Sequence, residues 1–77
     1  MADKLPLLKA KDIVKVLEKL EFEFKRQKGS HMFFEHPDGR TTVIPNHPTE
    51  HVDRGLLNKI LKHDLQISRE DFLKQVK

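Results

Sequence analysis

The chain contains no cysteine. That excludes disulfide staples, a thiolate nucleophile and every Cys-ligated zinc or iron–sulfur site. Its longest unbroken apolar run is Met32 to Phe34, far short of the roughly 20 residues that carry a helix across a bilayer. The first ten residues are interrupted by Pro6 and hold lysines, so they lack the apolar centre of a secretory signal. Neither a Gly-rich phosphate loop nor an H-E-x-x-H helix is present. These absences lead us to expect a cytoplasmic protein with no membrane contact.

The 77 residues suffice for one hydrophobic core, so residues 1–77 are expected to form a single domain, with 1–8 as an N-terminal arm. Hydrophobic residues make up 36% and charged residues 35%, a balance that folds rather than stays disordered. A domain this small buries only about 60% of its unfolded surface and is sensitive to core truncation. The formal net charge of +3 permits a nucleic-acid partner without requiring one.

Apolar residues at Ile13, Val14, Val16, Leu17 and Leu20 recur at helical spacing and predict a helix from about Ala10 to Leu20. The period then becomes two. Phe22 and Phe24 alternate with Glu23 and Lys25, a pattern that predicts a half-buried strand with both phenylalanines on the core side. Lys28-Gly29-Ser30 supplies a turn, residues 31–36 a second strand, Pro37-Asp38-Gly39-Arg40 a hairpin and Thr41 to Ile44 a third strand. A polar loop over 46–51 leads to a helix from about Asp53 to His63, with Leu56, Leu57, Ile60 and Leu61 on one face. Ser68-Arg69-Glu70-Asp71 fits a capping box, stapled by Ile67 and Phe72, and starts a last short helix. The expected class is α+β, ordered α-β-β-β-α-α, with a three-stranded antiparallel sheet covered by helices on one face. Leu5, Leu7 and Leu8 are expected to fold onto this body.

The chemistry concentrates in Lys25-Arg26-Gln27-Lys28-Gly29-Ser30-His31. Cations and backbone N–H groups hold phosphodiester oxygens, and a glycine lets the backbone approach closely. Arg26 and Lys28, with Arg40 from the next hairpin, are the candidate phosphate-holding cations, and Gly29 and Ser30 the candidate backbone contacts. Cutting RNA without a metal also needs a group that moves protons near neutral pH. His31 is that group, removing the 2′-hydroxyl proton or protonating the leaving oxygen. The same stretch also reads as a solvated basic turn. Strand parity sets His31, Phe33 and Glu35 on the face opposite Met32 and Phe34. There Phe33 either stacks a base or covers the sheet against the N-terminal arm. His36, His47 and His51, even with Glu50 or Asp53, make no recognisable metal site, because Pro48 spoils the helical pairing. His63 suits a helix C-terminus. No metal and no cofactor is expected.

The run Phe22 to His31 resembles the G-F-x-x-x-R-Q-K-G-S-H signature of HicA-type (YcfA-like) mRNA interferase toxins. The similarity continues through His36-Pro37-Asp38-Gly39-Arg40, Val43-Ile44-Pro45 with His47, and Arg54-Gly55-Leu56-Leu57-Asn58-Lys59-Ile60-Leu61-Lys62, spanning about residues 9–76. Two positions depart from the family pattern: Glu21 replaces the glycine of "GF", and His63-Asp64-Leu65-Gln66 stands where a glycine follows the second helix. The resemblance implies a double-stranded-RNA-binding-domain-like fold, a metal-independent endoribonuclease that cuts mRNA and blocks translation, and His31 as its catalytic histidine. It also implies a HicB-type antitoxin as partner, expected to cover the His31 loop. The second acid or base beside His31 is water, Lys28, Glu35 or a group on another chain. Two other readings remain: a non-catalytic RNA-binding module on the same fold, and an interaction subunit for an acidic protein. Nothing in the sequence decides between a monomer and a homodimer.

Overall fold

A computed structural model describes residues 5–76. Leu8–Lys9 (β1) leads directly into Ala10–Lys19 (α1), which buries Ala10, Ile13, Val16 and Leu17. The Lys9 N–H donates to the Asp12 carboxylate at 3.1 Å and closes the first turn. The helix ends in a Schellman motif: the Glu21 N–H donates to the Glu18 carbonyl at 3.0 Å and the Phe22 N–H to the Leu17 carbonyl at 2.9 Å. Glu21 therefore adopts a φ of 71°, the left-handed region that normally selects glycine.

Glu23–Lys28 (β2), His31–Glu35 (β3) and Thr41–Pro45 (β4) form the expected antiparallel sheet in that order. Met32 pairs with Ile44 and Phe34 with Thr42, and all four are buried. They make the inner face, with the helices against β4. Phe34 is 2% exposed and Phe72 fully buried, and truncating such a ring to alanine costs about 3–5 kcal/mol. The loop Pro37-Asp38-Gly39 is a three-residue hairpin. The Gly39 N–H donates to the His36 carbonyl at 2.9 Å, the His36 N–H donates to the Arg40 carbonyl at 2.8 Å, and Gly39 takes the positive φ of 100°.

Several expectations need correction. Phe22 is buried but Phe24 is 54% exposed. Phe24 pairs with Phe34 and so lies on the inner side, but β2 is an edge strand exposed along its length that the helices do not cover. The segment expected as an arm is partly a strand. β1 pairs antiparallel with His51–Val52 (β5), through Leu8 with Val52 and Lys9 with His51, as a separate two-stranded sheet. Leu5 and Leu8 are buried, Leu7 is 55% exposed, and residues 1–4 lie outside the described residues. The polar loop therefore ends in a strand.

The second helix is composite. Arg54–Lys59 (α2) begins on Asp53, whose carboxylate accepts the Leu56 N–H at 3.1 Å, and it runs on as a π-helical turn over Ile60–Leu65. The wider π repeat lets Ile60 and Leu65, five residues apart, both reach the core. Leu56, expected beside Leu57 on the inner face, is 39% exposed. The segment closes with Gln66 at a φ of 57° and the Ile67 N–H on the Leu61 carbonyl at 3.1 Å. Ser68 then caps Arg69–Val76 (α3) as expected, its hydroxyl accepting the Asp71 N–H at 3.0 Å. Ile67 and Phe72 join the core, and α3 packs against α1.

Candidate functional site

Gly29 and Ser30 form a two-residue turn between β2 and β3, and Gly29 alone of the two has positive φ, at 59°. That pattern suits a type II′ hairpin turn, whose twist matches its flanking strands. The Gln27 side chain donates to the Gly29 carbonyl at 2.9 Å, and the Asn46 N–H donates to the Ser30 carbonyl at 2.6 Å. The turn is thus held from both sides. Around the Gly29 Cα nothing lies within 4 Å of where a Cβ would stand, which leaves the backbone open to a ligand.

His31 pairs with Lys28 on one side and Pro45 on the other. Directly opposed residues have Cβ atoms about 5 Å apart on one face of the sheet. Both side chains are exposed. The outer face continues with Phe33, paired with Arg26, whose guanidinium carbon stands 4.8 Å from the centre of the Phe33 ring. Simple alternation from Phe24 would turn Arg26 and Lys28 inward. A bulge between Phe24 and Arg26 inserts Lys25 as an extra residue and reverses the parity. As a result Arg26, Lys28, His31 and Phe33 share one face. No residue-by-residue pattern announces that bulge, and it is the feature that sequence reasoning missed.

A shallow depression of about 330 Å³ opens beside this row, lined by Lys25, Arg26, Phe33, Glu35, Thr41 and Val43 among others. Phe33 is half-buried there. Of the arm expected to cover Phe33, the described part that forms β1 pairs with β5 instead. Glu35 lies four residues along the strand from His31, about 13 Å away. That is out of hydrogen-bond reach and removes it as a direct proton partner, while Lys28 remains adjacent. The His31 imidazole makes no side-chain hydrogen bond within the described residues.

Arg40 does not join the row. Thr41 pairs with Glu35, so Arg40 sits at the far end of the sheet from His31. Its Nε donates to Asp38 Oδ2 at 2.8 Å, its Nη1 donates to the Leu65 carbonyl, and its guanidinium carbon lies 5.3 Å from the centre of the Phe22 ring. Arg40 therefore ties the hairpin to the π-helical turn, and that occupies the charge expected to hold phosphate. His36 completes this cluster, stacking edge-on against Phe22 at 5.1 Å with Nδ1 3.0 Å from Asp38 Oδ1. The Arg40 backbone N–H is the largest influence and holds the Asp38 carboxyl below its ordinary range; desolvation opposes it, and the Arg40 and His36 charges add to the lowering. His47, His51 and His63 are exposed, and among the described residues no three His, Asp or Glu side chains gather as a metal site.

The family profile described as HicA toxin of bacterial toxin-antitoxin matches residues 10–64. The matched span opens at the first residue of α1, takes in the whole three-stranded sheet with the His31 turn, and stops before α3. No curated protein shows significant similarity to the chain.

Proposed function

Because this chain belongs to the HicA toxin family, the toxin side of a bacterial toxin–antitoxin pair, we propose that it is an endoribonuclease that cuts messenger RNA in the cytoplasm with His31 as its general acid/base. The observation that carries this reading is the exposed His31–Lys28 pair beside an open glycine turn. Neutral imidazole removes the 2′-hydroxyl proton, the O2′–P bond forms and the P–O5′ bond breaks. Water supplies the proton to the departing 5′ oxygen, leaving a 2′,3′-cyclic phosphate and a free 5′-hydroxyl. Lys28, with the Gly29 and Ser30 amides, holds the non-bridging oxygens as their charge develops. General acid/base help of this kind is worth about 10²–10⁴ in rate.

The partner is a HicB-type antitoxin that covers the Gly29-Ser30-His31 turn and places acidic groups against β2. Protection of the Gly29 to Met32 amides from hydrogen exchange on adding the antitoxin is the expected sign; unchanged exchange argues against direct occlusion.

A second reading is favoured by one observation: among the described residues, no hydrogen-bonded group orients the His31 ring. A histidine without an orienter is a weaker base than one held in place, and the same cations then serve a non-catalytic RNA-binding module. RNA digestion in EDTA, parent beside His31→Ala on a denaturing gel, separates the two. Cleavage by the parent alone supports the ribonuclease. Equal cleavage by both removes His31 from the chemistry, and binding without cleavage by the parent selects the module.

A further inference from the structure

We propose that Arg26 and Phe33 form a stacking platform for one unpaired nucleobase of the RNA strand, next to the nucleotide whose phosphate lies at His31. The inference rests on the RNA reading given above. Phe33 is half-buried on the outer face, where an apolar ring has no packing duty toward the core. The Arg26 guanidinium lies over it at 4.8 Å, so a flexible cation is held as a flat, oriented surface. Aromatic rings and guanidinium planes are the two groups on which proteins stack unpaired bases. A depression of about 330 Å³ beside the pair lies open to solvent.

Spacing ties the platform to the proposed chemistry. Phe33 is two residues from His31 on the same face, about 7 Å along the strand, the reach of one nucleotide from phosphate to base. Arg26 and Lys28 run beside it on the exposed edge strand, a cationic track for the backbone, while the Lys25 ammonium is paired with Glu23 at 3.1 Å. Duplex RNA keeps its bases stacked on one another, so a platform of this kind takes single-stranded substrate.

The test uses a fluorescein-labelled 12-nucleotide unpaired RNA of mixed sequence. It is titrated by anisotropy at several salt concentrations against the His31→Ala protein, which keeps the probe intact. The same background carrying Phe33→Leu or Arg26→Lys is titrated beside it. Phe33→Leu keeps an apolar cover and removes the ring; Arg26→Lys keeps the charge and removes the plane. Affinity lost by about 5- to 100-fold in both, with the salt slope unchanged, is the expected result. Parent-like affinity in a Phe33→Leu protein with an unchanged melting temperature overturns the platform alone. Arg26→Lys equal to parent reduces Arg26 to a charge and likewise overturns the stacked pair. Failure of the His31→Ala background and the parent to bind this RNA at all removes the RNA reading itself.

Discussion

Lys28 stands directly opposite His31 across the Gly29-Ser30 turn, with both side chains on the outer face of the sheet. The pairing sets the Cβ atoms of Lys28 and the candidate base about 5 Å apart on one face. In the proposed reaction Lys28 is the cation that holds the phosphate.

Lys28→Gln should therefore lower RNA cleavage by about tenfold while leaving the fold intact, since Lys28 is exposed. The slope of log affinity against log salt should become shallower by about 0.7, the loss of one phosphate contact on single-stranded RNA. Binding titrations at four salt concentrations read this directly, and an unchanged slope would remove Lys28 from the phosphate contacts.

Glu21 and Gln66 hold left-handed φ values of 71° and 57° where each of the first two helical segments ends. A side chain with a Cβ is strained there, and glycine is not. Glu21→Gly and Gln66→Gly should each stabilise by about 0.5–1 kcal/mol, raising the melting temperature by several degrees in a chain of this size. Thermal unfolding followed by circular dichroism is the measurement. A fall in both midpoints would show that the caps are not strained.

The Asp38 carboxyl titrates below its ordinary range because the Arg40 N–H and the Arg40 and His36 charges favour the carboxylate. A depressed folded-state value stabilises the protein above the unfolded carboxylate value, about pH 4, and that contribution fades as pH falls through the lower folded value. Asp38→Asn should melt below the parent at neutral pH, and the two curves should converge in acid. A difference that persists to pH 2 would assign the effect to shape rather than charge.

Thr42 is 2% exposed and its hydroxyl donates to Asp64 Oδ2 at 2.9 Å, joining β4 to the π-helical turn. Thr42→Val keeps the volume and removes the donor, and should cost about 1 kcal/mol. Asp64→Ala should cost at least as much, because it strands the buried hydroxyl. Chemical denaturation of both variants checks the order.

Much of this architecture was legible because it is written in short-range periods. The stripe of Ile13, Val16 and Leu17, the alternation of Met32 and Phe34 with their neighbours, Pro37-Asp38-Gly39 and the Ser68 cap each act within a few residues. The His31 turn belongs with them, since glycine's conformational freedom and the flanking cations are properties of adjacent positions. The family likeness added the two places where a glycine is replaced, and the structure shows both replacements strained in the same left-handed way. The rest depended on distant partners. Arg40 has the composition of a phosphate ligand, yet Asp38 and the Leu65 carbonyl claim it. The pairing of β1 with β5 joins two segments too short to show any period.

What the sequence determined by itself, then, is the order of α1, the three-stranded sheet and the helices after it, the inner residues of α1 and β3, and the basic turn that holds the titratable His31, because each follows from backbone preferences and side-chain chemistry at single sites. Tertiary structure decided which cations stand with that histidine. Strand faces alternate only while the ladder is regular, and the extra residue at Lys25 is accommodated where Phe24 and Arg26 both need their partners across β3. Register is a property of two strands and the core beneath them, and no single strand carries it.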